Sequence, residues 1–185
     1  MKTTSVKLSD ICLDGKGTYG IPASAVDYSP DLYTYLRITD INDDGTLNKG
    51  GLKSVRDEKA SHYLLKENDI VFARTGNSTG RNYFYSRDDG ELVYAGFLIK
   101  FSIDPNKVNP VFIKYYAQSK AYRDWVSSFN TGSTRGNINA QTYANMTIIL
   151  PERQQQDLLV RTLSQIDKKI ALNASINQNL EVRVA

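Results

Sequence analysis

Cysteine and histidine are all but missing: Cys12 and His62 stand alone in a chain of 185 residues. A lone cysteine excludes an internal disulfide and fits a reducing compartment. One cysteine and one histidine also fall short of the usual zinc shell, and no clustered carboxylates suggest another metal. Long apolar runs are missing too. None approaches the roughly 18 residues needed to span a bilayer, and the opening MKTTSVKLSD lacks the apolar core of a secretory signal. The expectation is a cytoplasmic chain with no membrane association. No dinucleotide fingerprint, Walker loop or GxSxG elbow is recognised, nor an Asn-Pro-Pro-Tyr type methyl-transfer sequence or a nuclease-like carboxylate–lysine cluster. His62 has neither nucleophile nor orienting acid nearby and reads as a surface or half-buried side chain. The chain is expected not to be an enzyme and to hold no cofactor or metal.

What is present is ordinary in amount and uneven in place. Hydrophobic residues make up 41% and charged residues 23%, the mix of a globular protein with one well-cored domain and an appendage. The net charge of +3 is too small to name a partner. Its distribution says more. Residues 70–87 carry Arg74, Arg81 and Arg87 with no acid, and residues 109–135 carry Lys114, Lys120, Arg123 and Arg135 against Asp124. The remaining stretches up to residue 108 are net negative. Both basic stretches are rich in Gly, Ser, Thr, Asn and aromatics, the footprint of a surface facing phosphates; chance clustering on a solvated surface gives the same pattern.

Coarse periodicity divides the chain in two. Residues 1–150 read as an α+β domain with a mixed or antiparallel sheet. Residues 5–13 read as a short strand or an entry turn, and strands are expected at 35–41, 69–75, 81–86, 92–103 (the longest) and 147–150, with 69–86 forming a hairpin around GNSTG. A short helix is expected within 55–63. Asn109 followed by Pro110 opens an amphipathic helix over 110–128, on which Tyr115, Tyr116 and Tyr122 read as packing rather than base-stacking residues. Asn139 caps a short helix, AQTYANM. From Pro151 the texture changes: residues 152–185 hold no glycine or proline. Leu159, Leu163, Ile166, Ile170, Asn173, Asn177, Leu180 and Val184 alternate in steps of four and three, a coiled-coil seam. A helix of about 50 Å needs a partner along that seam; folding back on its own domain is the alternative.

Two polar loops are the candidate site. The first, Arg74 to Arg81, places arginines at both ends of a hairpin tip with Thr75, Asn77 and Ser78 between them. The second carries Ser133, Thr134, Arg135 and Asn137. Glycines let a backbone approach a phosphate, Ser, Thr and Asn donate to phosphates or base edges, and Arg grips guanine O6 and N7 with two bonds. Each loop alone is also what any solvated turn uses.

The segments VKLSDIC, TYGIPASA, YLRITDI, LKENDIVFARTGNSTGR, FIKYYAQSKAYRDWV and GSTRGNINAQTYANMTIILPERQQQDLLVRTLSQIDKKI together resemble half of the specificity subunit of type I restriction–modification systems. The last block, passing from a short helix and strand through Leu-Pro and a Gln-rich entry into a long helix, is the most specific. The resemblance implies a target recognition domain (1–150) and a spacer helix (151–185), double-stranded DNA as ligand, and separate modification (methyltransferase) and restriction subunits as partners. S-adenosylmethionine belongs to the methyltransferase. Family members usually carry two domains and two helices; with one of each, this chain is expected to form a homodimer through antiparallel helices, using Leu159, Leu163, Ile166, Ile170, Asn173, Asn177 and Leu180, and to read a split, inverted site. DNA contacts are expected from Tyr19, Arg74, Thr75, Asn77, Ser78, Arg81, Ser133, Thr134, Arg135 and Asn137. A protein-interaction adaptor docking partners through its long helix is the competing reading.

Overall fold

The computed structural model describes residues 2–129 and 136–184, with 178–184 described by backbone alone. In chain order the described residues form β1 (Thr3–Lys7), β2 (Thr18–Tyr19), β3 (Ala25–Asp27), β4 (Thr34–Leu36), β5 (Lys53–Val55), β6 (Asp69–Ala73), β7 (Asn82–Phe84), β8 (Leu92–Tyr94), β9 (Leu98–Ser102), α1 (Pro110–Tyr116), α2 (Lys120–Ser127), α3 (Ala140–Ala144), β10 (Thr147–Pro151) and α4 (Arg153–Val184), with short 3-10 turns between them. This is a mixed α+β architecture.

β6 organises the core. All five residues of DIVFA are buried, as expected of a strand covered on both faces. It lies between β9 and β7 in the antiparallel sheet β2-β9-β6-β7. Strand alternation sends Ile70 and Phe72 to one side, where they meet Phe101, Ile113, Tyr122, Tyr143 and Ile148 beneath the helices. Val71 and Ala73 face the other way, onto Leu36, Tyr83, Leu92, Tyr94 and Leu98. These connect to a second sheet, β3-β5-β4-β8, antiparallel except for the parallel pair β4·β8. β1 and β10 form a separate antiparallel ribbon that brings the two ends of the domain together.

Several expected elements are shorter than periodicity suggests. The run Leu92–Ile103 is two strands in two sheets, because Ala95–Leu98 closes a turn through Leu98 N–H donating to Ala95 O at 2.8 Å. The strand at Tyr35 stops at Leu36, since the Asp40 carboxylate takes the Arg37 amide at 2.9 Å and its guanidinium at 2.8 and 2.6 Å, curling Ile38–Asp40 into a 3-10 turn. The helix over 110–128 breaks at Ala117–Ser119, and Ser119 caps the second half through its Oγ, the local competition that serine offers helical backbone. The caps at Asn109 (with Pro110 following) and Asn139 form as the sequence indicates, as does the β6–β7 hairpin.

α4 is a long helix docked only over its first turns, and its docking face is polar. Gln156 is buried, accepting the Asn109 N–H at 2.9 Å and donating to Pro151 O at 2.8 Å. Asp157 accepts from Asn109 Nδ2 at 2.7 Å, and Arg153 donates to Pro105 O at 2.9 Å. Farther along, Tyr115 bonds Ser164 and donates to Asp167 at 2.8 Å, beside Lys114. Residues 165–177 are all exposed. At 100° per residue the ridge Leu159–Leu163–Ile166–Ile170 is centred about 100° around the helix from this docked face. Leu163 is half-buried; Leu159, Ile166 and Ile170 are 41%, 48% and 62% exposed. Asn173 and Asn177 continue the ridge in solvent; the side chains of Leu180 and Val184 lie outside the described residues.

Candidate nucleic-acid interface

Four segments distant in sequence meet on one rim. Ala73 N–H donates to Arg81 O at 2.8 Å and Gly80 N–H to Ala73 O at 3.0 Å, closing the loop between β6 and β7. The segment after residue 135 is stitched alongside it: Thr75 bridges Asn137, Ile138 N–H donates to Arg74 O at 2.9 Å, and Thr79 Oγ1 donates to Gly136 O at 2.9 Å. On the other flank Arg74 N–H donates to Phe97 O at 3.0 Å, and Gly20 N–H to Leu98 O at 3.1 Å. The Arg74 guanidinium sits 5.1 Å from the centre of the Tyr19 ring, whose hydroxyl accepts the Ala140 N–H at 3.1 Å.

This rim has a rigid underside. Tyr122 donates to Gly80 O at 2.6 Å and Tyr143 to Ala73 O at 2.9 Å, so α2 and α3 each hold one end of the loop. Tyr143 stacks on Phe72 with ring centres 4.8 Å apart. Burial pushes both phenols well above their ordinary range, which keeps them neutral donors. Asn82, also buried, donates to Ala117 O at 2.8 Å and accepts from Gln118. Glycine is required at two points. Gly80 has φ of +88° and a Cβ there would lie 2.5 Å from Val126; a Cβ on Gly20 would lie 2.3 Å from the carbonyl oxygens of Tyr94 and Ala95.

Of the expected contact residues, the structure brings Tyr19, Arg74, Thr75, Asn77 and Asn137 to this rim; Tyr19, Asn77 and Asn137 are exposed, and Arg74 and Thr75 half-buried. Ser78 is not among the groups the rim offers: it is 9% exposed, under the turn, with its carbonyl accepting the Arg81 N–H. Arg81 is already engaged, its Nε on Asp43 at 2.7 Å and Nη1 on Ile41 O at 3.2 Å. Ser133, Thr134 and Arg135 lie outside the described residues. Arg74 is the most informative. Its Nε is buried with no hydrogen-bond partner among the described residues, while the guanidinium lies within cation–π range of Tyr19. A buried, unpaired donor is costly, and a guanidinium suits a planar two-acceptor ligand.

Phe97 is a rim residue that periodicity conceals. It sits inside an apolar run read as one strand, yet is 58% exposed at the turn between β8 and β9; Gly96 immediately before it is the available signal. Charge also polarises the domain. At the opposite end of β8 from Phe97, a cleft lined by Asp31, Asp57, Glu58 and Glu91, with Arg56, is predominantly acidic and would repel phosphates.

No group of three His, Cys, Asp or Glu placed to hold a metal occurs among the described residues, and none of their helices is long and apolar enough to cross a membrane. The spacing G-x-G-x-x-G does occur, from Gly15 to Gly20, but it leads into the two-residue strand β2. It lacks the following helix whose N-terminus would hold a pyrophosphate.

Fold and rim define an α+β head with a glycine-rich edge bearing Arg74, followed by a long helix. A family model described as the type I restriction modification DNA specificity domain matches residues 2–182, and the chain belongs to that family. It is 25% identical over 138 residues to the type I restriction enzyme StySPI specificity subunit of Salmonella potsdam, covering 72% of this chain and 30% of that one. It is 26% identical over 123 residues to the HindI specificity subunit of Haemophilus influenzae, covering 63% of this chain and 26% of that one. The chain therefore spans less than a third of the length of these curated relatives. Its fold is similar to the crystal structure of the type I restriction–modification system S subunit from M. genitalium, with a TM-score of 0.62 and 16% identity over 95% of this chain and 41% of that one.

Proposed function

We propose that the chain is a sequence-reading module for double-stranded DNA within a type I restriction–modification assembly. Residues 1–150 form the target recognition domain and 151–185 the spacer helix. The chain acts in the cytoplasm and is not itself catalytic; separate modification and restriction subunits perform methylation, with S-adenosylmethionine in the former, and cleavage. The observation that carries the reading is the Arg74 arrangement: a guanidinium over the Tyr19 ring, with no partner for its Nε among the described residues, on a glycine-rich rim shared with Asn77 and Asn137. Such a group reads guanine O6 and N7 or holds a phosphate, and the neighbouring amides supply further donors. Two chains pair through the apolar ridge of α4 in antiparallel orientation, so that two identical heads read the halves of an interrupted inverted repeat. Asn173 and Asn177, polar within the ridge, select register at some cost in stability.

Binding of random-sequence and selected duplexes across a salt series tests the reading. Affinity falls steeply with salt, as counterion release demands. Arg74→Ala costs about 1–3 kcal/mol and relaxes one position if Arg74 reads a base, or weakens all sequences alike and flattens the salt slope if it holds a phosphate. Salt-insensitive behaviour, or unchanged DNA binding by Arg74→Ala, contradicts the assignment.

A further inference from the structure

Phe97 is a large apolar side chain left in solvent on a part of the molecule that cannot yield. The Ala95–Leu98 turn is closed by its own 2.8 Å hydrogen bond. Ala95 N–H donates to Leu36 O at 3.0 Å, Ala95 bridges Ile21, and Gly20 N–H holds Leu98 O. A Cβ on Gly96 would lie 3.3 Å from Pro22 Cα, so the backbone on that side is packed against its neighbour. With the turn held from both sides, Phe97 cannot swing inward as a mobile loop would allow. Its carbonyl accepts the Arg74 N–H at 3.0 Å, which sets the two residues side by side on the rim. Beyond α4, few large apolar side chains are as open as this one.

An exposed apolar group on the rim that also carries Arg74 matches one feature of a duplex. In the major groove, where arginine finds guanine O6 and N7, the C5 methyl of thymine is the apolar group on the base edges. We propose that Phe97 is a specificity-determining residue, making an apolar contact from this rim to the C5 methyl of a thymine in the target. The proposal rests on the DNA-reading function above and adds a residue and a base class to it.

The test is selection of binding duplexes from a random library by the full chain, followed by replacement of each selected thymine with deoxyuridine. For the wild-type chain, one thymine per half-site loses about fourfold in affinity on losing its methyl, the worth of one buried carbon. In Phe97→Ala that position becomes degenerate and insensitive to deoxyuridine, while the rest of the motif is kept; Phe97→Leu retains the preference. A Phe97→Ala chain selecting the same motif with undiminished deoxyuridine sensitivity overturns the role of Phe97 and leaves the DNA-reading function standing. A wild-type motif in which no thymine responds to deoxyuridine overturns it without recourse to any variant, which covers a Phe97→Ala chain that fails to fold. A wild-type chain that selects no motif removes the DNA-reading function, and this proposal with it.

Discussion

At the residue scale, the rim depends on positions where only one kind of side chain fits. Gly80 and Gly76 both have positive φ, +88° and +75°, but differ in surroundings. A methyl at Gly76 meets nothing within 4 Å; one at Gly80 meets Val126 at 2.5 Å. Gly76→Ala therefore carries backbone strain of about 1 kcal/mol, whereas Gly80→Ala adds a steric clash and loses about 2–3 kcal/mol. Denaturant unfolding of the two variants checks this order, and equal losses contradict it. Cys12 illustrates a residue with no functional demand on it: burial pushes its thiol up to about 12, consistent with an inert packing residue. Some of this was legible in sequence. Arg74 announces itself by its place before a Gly-Asn-Ser-Thr-Gly turn. Phe97 does not, because a break between two sheets inside a largely apolar run leaves only Gly96 as its local signal. The engagement of Arg81 by Asp43 needed the fold, since the two are joined only by the approach of separate turns.

At the scale of elements, α4 has two faces with opposite chemistry. Caps and hairpin were readable from local residues: Asn109-Pro110, Asn139 and the glycine-flanked tip each bias the backbone within a few positions. The polar docking face was not, because Gln156, Asp157, Ser164 and Asp167 look like ordinary solvent-facing residues until Asn109 and Tyr115 are placed opposite them. The Asp157 carboxyl is held below its ordinary value of 3.8, first by the Asn109 amide and then by Arg153. A group depressed on folding contributes its stabilisation above the unfolded value, and loses it as pH falls through the folded value. Acidification below about 4 thus loosens the first turns of α4. Hydrogen exchange of the amides of residues 157–167, compared at pH 3 and pH 6, reads this directly; Asp157→Asn flattens the response, and faster exchange at the higher pH after correction for the intrinsic rate contradicts it. The apolar face makes a separate prediction. Ile166→Asp with Ile170→Asp places charges in the proposed seam without touching the docked face. Sedimentation is expected to shift from dimer to monomer at micromolar concentration while the melting of the head is unchanged; a wild-type chain that sediments as a monomer contradicts the pairing.

At the scale of the molecule, the proposed function separates addressing from chemistry. The head carries the Arg74 rim at one end of β8 and an acidic cleft at the other, a polarity that would orient the proposed module on a polyanion. About 25 Å of helix extends past Asp167, the last docked residue, at 1.5 Å per residue. In the proposed dimer, two such helices side by side would set the separation of two heads, making the spacing between half-sites a property of the helices and the identity of each half-site a property of the rim. The most direct measurement is base-resolution mapping of methylation produced when the chain is reconstituted with its methyltransferase subunit. The account predicts one interrupted, inverted-repeat motif of fixed spacing, degraded in both halves together by Arg74→Ala. Methylation with no sequence preference, or a motif that survives Arg74→Ala intact, contradicts it.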